Sequence, residues 1–218
     1  MKSLMFLLIL FLLSSKMSPC YSQNDALELT EEIIKKNKDL EEKAQKWLHS
    51  LPLDDQQKID RLKQVILTHL IQVRDWHNTH PFTEVPAGIN PFTGNDLTEL
   101  DRRIIAHSAK PKVYHQHLME GLRRDLSENL VTKILDEYTV GKVDFTMKGY
   151  HAIVPDLTTD EASYIRKLLE TAREEAIDYK NMEEISAIFE IYKTKAENYL
   201  NSNGRNWRQL YKDYVNKS

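Results

Sequence analysis

Residues Val154–Gly204 read VPDLTTDEASYIRKLLETAREEAIDYKNMEEISAIFEIYKTKAENYLNSNG, and this stretch decides the fold class. Thr158, with Pro155 upstream and Glu161 three residues on, has the form of a capping box. The hydroxyl accepts from the third helical amide and the carboxylate returns to the cap amide. The helix so opened carries Tyr164, Ile165, Leu168, Leu169, Ala172 and Ala176 at three-four spacing, one apolar face. Asp160 and Glu161 stand in its first turn, where the helix dipole favours negative charge. Asn181 opens a second helix with Glu184 as its third residue, and the stripe is Ile185, Ile188, Phe189, Tyr192, Ala196, Tyr199 and Leu200. Asn203-Gly204 closes it, because glycine accepts the left-handed backbone that ends a helix. The link Asp178-Tyr179-Lys180-Asn181 is short, which predicts antiparallel neighbours.

Outward from this pair the pattern stays helical. Val143, Phe145 and Met147 alternate with polar residues as in a strand, while Tyr150, Ile153 and Val154 fit a helical turn. A lone strand would have no partner, so helix is the preferred reading over 143–147 and strand the alternative. Before Gly141, Ser127 starts a helix through Val131, Ile134, Leu135 and Tyr138, and Pro111 starts one carrying Val113, His117, Leu118 and Leu122. Leu97–Ala106 is a short helix begun by Asn95 or Asp96. A helix capped by Asp54 or Asp55 runs to about Trp76 on Ile59, Leu62, Val65, Ile66, Leu70 and Val73. Glu28–Leu51 is another, with Ile33, Leu40, Ala44, Trp47, Leu48 and Leu51 on one face and Pro52 at its end. After Gly204, the spacing of Trp207, Leu210, Tyr211 and Tyr214 predicts a last docked helix. The expectation is an all-α, single-domain compact bundle of about seven helices spanning 23–218.

One interval breaks the periodicity. His77 to Asn95, HNTHPFTEVPAGINPFTGN, holds three of the seven prolines and two of the six glycines. Its two Phe and one Ile would sooner pack than dangle, so 77–95 is read as a long ordered loop over the helices.

The N-terminus has the form of a secretory signal peptide over 1–22: Lys2, an apolar run Leu4 to Leu13, then a polar end. The run is too short to span a bilayer. Cleavage after Ser22 is expected, in preference to lipidation at Cys20, since Pro19 and Met17 fit a lipoprotein signal poorly. The sole cysteine would then leave with the signal, and the core alone would hold a mature chain of about 196 residues. Loss of Lys2 and Lys16 leaves 28 basic against 33 acidic residues, about −5 in all, which argues against nucleic acid. No second apolar stretch is long enough to span a membrane after signal removal.

No catalytic motif stands out. There is no GxSxG, no HExxH, no phosphate loop and no usable cysteine. Six of the eight histidines lie between His77 and His151, but His80 precedes Pro81, which disfavours helix there, and His115 and His117 are two apart and point to different faces, so no metal or cofactor is expected. Sugar recognition needs an aromatic face and planar polar groups. Trp76, His77, Asn78, His80, Phe82 and Phe92 supply both beside the loop, and Arg102 and Arg103 could meet a uronate carboxylate bidentately. The bland alternative buries the aromatics and pairs the arginines with acids such as Asp101. Tyr192, Lys193, Asn198, Tyr199, Arg205, Asn206 and Trp207 form a second cluster, read as structural.

PDLT, the AREEAIDYKN run and IFEIYKTKAENYLNSNGRNW resemble a family of secreted bacterial proteins of unknown function, found mainly in Bacteroidota. Tyr192, Lys193, Asn198, Tyr199 and Leu200 carry its YKxxxxNYL-type helix. The resemblance implies sugar binding beside polysaccharide-degrading systems and carries over no catalytic residue. The expected function is an exported, carbohydrate-associated accessory protein of the periplasm or outer surface, with oligosaccharide as ligand. The alternatives are an enzyme on plant or algal polysaccharide fragments, using loop histidines as acid–base groups, and a protein-binding helical module.

Overall fold

The structure, a computed structural model, describes residues 23–91 and 93–217, without the side chains of 23–30. The expected signal segment with Cys20, and Phe92, lie outside the described residues. Among the described residues there are nine α-helices and no strand: α1 Gln23–His49, α2 Gln56–Thr79, α3 Glu99–His107, α4 Val113–Asp125, α5 Glu128–Thr139, α6 Lys142–Ile153, α7 Thr159–Ala176, α8 Met182–Ser202 and α9 Trp207–Lys217. The all-α expectation holds, with nine helices in place of about seven, and 143–147 is helical. Val140 (φ 54) and Gly141 (φ 65) are successive left-handed residues that divide α5 from α6. Glycine adopts that backbone freely, whereas a β-branched valine is strained there.

The caps follow local chemistry. Thr158 and Glu161 form the reciprocal capping box at α7, and the Asn181 side chain accepts from the Glu184 amide at 3.0 Å. Asp55 caps α2. Helix α3 starts later than expected, at a Thr98–Asp101 capping box, because Asn95 and Asp96 are engaged in the loop: the Asn95 carbonyl accepts from the Asn90 amide at 2.8 Å, and Asp96 bridges to Ile89. Arg205, just past α8, clamps the start of α7: its Nε and Nη2 each donate to Glu161 at 2.7 Å. That bidentate contact, with the Thr158 bonds, holds the Glu161 carboxyl down at about 2.

The chain divides into two compact units at Lys38/Asp39. The described part of the first is the N-terminal portion of α1, where Lys36 pairs with Glu32 at 2.8 Å. Ile33, counted in the apolar stripe, is exposed. The second unit holds two apolar clusters. One gathers Ala44, Trp47 and Leu48 of α1 with Leu62 and Ile66 of α2, Leu118 and Leu122 of α4, and Ile134 of α5. The other gathers Met147 of α6, Ile165 and Leu169 of α7, and Ile188, Phe189 and Leu200 of α8. The α7–α8 link joins them: Ile177 enters the first cluster and Tyr179 the second. Helices α2 and α4 approach closely at Gly121, where an added Cβ would lie 2.6 Å from Val65 Cγ1. Tyr164, expected in the α7 stripe, is instead exposed and stacks on Tyr199 with ring centroids 3.9 Å apart.

Candidate functional site

The residues singled out beside the loop come together only in part. Trp76 ends up in the last turn of α2 as expected, and His77 and Asn78 lie there with it, not in the loop, because the helix runs on to Thr79. Trp76 stacks on His80 at 3.4 Å. Phe82 lies under both guanidinium groups, 5.4 Å from Arg102 and 5.5 Å from Arg103. Arg102 donates through Nε to the Val85 carbonyl at 2.9 Å, and through Nη2 to the carbonyls of Val85 and Thr83. Arg103 binds Glu99 through Nε at 2.9 Å and Glu184 through Nη1 at 3.4 Å. Asn78 accepts from Lys180 at 3.0 Å. His77, Asn78, His80, Phe82 and Arg103 share a pocket of about 220 Å³, which Trp76 and Arg102 do not line. Most of the hydrogen-bonding capacity here is spent internally, tying the loop and α8 to α3 and the end of α2 to the α7–α8 link.

Beside this pocket the link residue Asp178 gathers charge. It lies between the two apolar clusters and is buried. Its Oδ1 accepts from His69 Nε2 at 2.9 Å, and its Oδ2 meets Lys110 Nζ at 3.1 Å and His115 Nδ1 at 3.3 Å. His69 Nδ1 lies 3.2 Å from the Tyr138 hydroxyl, so one neutral tautomer serves both neighbours, donating to Asp178 and accepting from Tyr138. Burial alone would raise the Asp178 carboxyl. Hydrogen bonds from His115 and His69 and the Lys110 charge overcome it and hold the group well below the carboxylate range. His69 is pushed down by burial, while its bond to Asp178 pulls His115 up. A second histidine pair sits next door: His107 Nδ1 is 3.2 Å from His77 Nε2, and the His107 ring stacks on Tyr179 at 3.7 Å. Burial, with the neighbouring His77 and Lys110 charges, brings His107 down to about 3.

The third region differs in kind. Helices α6, α8 and α9 bound a groove of about 670 Å³. Phe145, Trp207, Tyr211 and Tyr214 wall it, with Lys148, Lys193 and Glu197 among the polar groups. Phe145 is 76% exposed and Tyr211 51%. Tyr150 anchors the wall by donating to the Lys193 carbonyl at 3.2 Å and packing against Trp207 at 5.2 Å. Desolvation raises the Glu197 carboxyl, although the Lys193 charge opposes it. Glu197 has no hydrogen bond or ion pair among the described residues. Gly149 lines the groove too, and a Cβ there would meet nothing within 4 Å.

Much of this was outside the reach of sequence patterns. Lys193 and Trp207 stand in a sequence cluster of structural character, while the spacing of Phe145 and Tyr211 predicts core or docking positions. Helix α9 has no buried residue, so its aromatic face lines a groove and is not sealed in the core. Glu197 and Gly149 carry no local signal at all. Of the Asp178 cluster, only the gathering of histidines between His77 and His151 hinted at convergence.

No curated protein matches the chain. Residues 37–218 match the family model described as Protein of unknown function (DUF3826), and the chain belongs to that family.

Proposed function

We propose that this is an exported, carbohydrate-associated accessory protein that holds an oligosaccharide in the aromatic groove of α6, α8 and α9. One observation carries the reading: four exposed or half-exposed aromatics surround a half-buried carboxylate that has no hydrogen bond or ion pair among the described residues. A pyranose offers an apolar face for such rings and hydroxyls for such an acceptor. Glu197 would accept from sugar hydroxyls, Trp207 Nε1 would donate, and Lys148 would reach a ring or substituent oxygen at the rim. The groove also has the size of a small-ligand site. The loop cluster supports the reading less well, since its arginines and Asn78 are already engaged.

The test is calorimetry and thermal shift with neutral and acidic oligosaccharides, on the native chain and on Gly149→Leu. Ligand at a hundred times its Kd adds about 2.7 kcal/mol of stability. Binding that Gly149→Leu abolishes, with melting no lower in the absence of sugar, is the expected result. Failure of every sugar class to bind, or binding indifferent to Gly149→Leu, would overturn it. The enzyme alternative draws on His115 and Asp178, which line a polar cleft of about 550 Å³. Product appearing in the same samples and lost in His115→Gln would favour it.

A further inference from the structure

A second groove, remote in sequence from the aromatic one, lies between the C-terminal half of α1, α2, the end of α5 and the α7–α8 link. Its volume is about 460 Å³, within the range of small-ligand sites. Its walls are apolar, with Leu40, Leu70, Val73, Ile177 and Ile185 among the lining residues. Its edges carry Lys43, Lys46, Arg74 and Lys180 against one acid, Glu137. Arg74 is engaged by Asp75 at 2.7 Å and Lys180 by Asn78 at 3.0 Å. Lys43 and Lys46 form no ion pair among the described residues. The Lys43 ammonium instead lies over the Trp47 ring, 4.9 Å from its centroid. The Lys43 side chain is exposed, and partial desolvation against the ring lowers its pKa.

The groove lip is also strained. Val140 has φ 54 and is 72% exposed. Gly141 beside it already provides the left-handed turn, so the chain keeps a disfavoured side chain at the mouth of the groove. Apolar walls, exposed lysines without an ion pair and a strained apolar lip describe one kind of occupant.

We propose that this groove binds an amphiphilic anion, its alkyl chain along Leu40, Leu70, Val73 and Ile185 and its carboxylate at Lys43 and Lys46. A fatty carboxylate has this division of apolar body and single charged head, and its head would supply the counter-ion that Lys43 lacks. A neutral alcohol of equal length would fill the walls and leave the lysines unpaired. A cationic amphiphile would be repelled.

Isothermal titration with dodecanoate, dodecanol and dodecyltrimethylammonium, each below its micelle concentration, tests this. Saturable one-to-one binding of dodecanoate is expected, with the alcohol about tenfold weaker and the cation not bound. Lys43→Glu should weaken dodecanoate about tenfold and leave the melting temperature unchanged. Val140→Gly should raise the melting temperature, by relieving strain, yet weaken binding by removing the lip. A purely structural valine would not move the two in opposite directions. Absence of saturable binding, equal affinity for acid and alcohol, or indifference to Lys43→Glu would each overturn the proposal. Gly149→Leu, which blocks the aromatic groove, should leave dodecanoate binding intact.

Discussion

Asp178, in the α7–α8 link, and Glu197, within α8, are both carboxylates set among aromatic and cationic groups, yet they are used differently. Around Asp178, His69, Lys110 and His115 all aim at one carboxylate, and Tyr138 completes the second nitrogen of His69. Around Glu197 only the Lys193 charge acts: Phe145, Tyr211 and Tyr214 stay exposed and the carboxylate keeps its accepting capacity. The comparison teaches that a cluster of ionisable residues is not by itself a site. A low-dielectric interior forces mutual satisfaction, and a satisfied network has little left for a ligand. Unspent capacity beside apolar surface is the better mark of binding.

The contrast is open to direct attack. The largest effect is expected from Asp178→Asn, which strands Lys110, whose side chain is 3% exposed, and His115. Loss of one member of such a buried network costs about 3–5 kcal/mol. Adding Lys110→Met should recover part of the loss, since the uncompensated charge is then gone. Urea unfolding measures both, and a near-neutral Asp178→Asn would break the picture of a structural knot. Sugar affinity of the folded fraction should not change.

Acid should also act on the knot. Burial lowers His69, His77 and His107 below their ordinary value of 6.5. The unfolded chain therefore takes up these protons first, and stability is lost as the pH falls from about 6.5 toward 3. His115 is raised, so its contribution has the opposite sign: it is present at low pH and lost as pH rises through its folded value. With three lowered groups against one raised, a net loss of stability is expected between pH 7 and 4. His107→Phe should flatten that profile in denaturation curves taken at several pH values, and an unchanged slope would remove His107 from the account.

At the groove the balance reverses, and binding moves more than stability. Phe145 is 76% exposed, so Phe145→Ala should change stability by no more than about 0.5 kcal/mol. Its loss should weaken sugar binding about tenfold, about 1.4 kcal/mol. Equal affinity in titration would take Phe145 out of the site. The smallest effect is a gain: Gly149→Ala, in a helix with open space at the new Cβ, should stabilise by about 0.5–1 kcal/mol. A destabilised Gly149→Ala would show that this glycine serves packing and not an open groove.

The helix pair α7–α8 was legible because its signals are local. Thr158 with Glu161, Asn181, and Asn203-Gly204 each act within one helical turn, and each is found in its expected role. The start of α3 was misread because Asn95 and Asp96 are good caps in isolation but are engaged by Asn90 and Ile89 within the loop. Tyr164 shares helical spacing with true core positions, yet finds a neighbouring tyrosine rather than the interior. Periodicity marks a face, while burial depends on what arrives opposite it. Arg102 illustrates the same limit at the loop: its residue type suggested a ligand, and loop carbonyls took its donors.

By itself, the sequence determined that this chain is helical, where most helices begin and end, and that residues 37–218 belong to a family without a known activity. Those properties rest on spacing and capping, which act over three or four residues. Only the tertiary structure decided which polar groups are consumed and which are left over. Asp178 lies 109 positions from His69, and the Phe145, Glu197 and Tyr211 of one groove come from three separate helices. Whether a side chain meets a partner, apolar surface or solvent is set by helices packing across such separations, and local pattern carries no record of it.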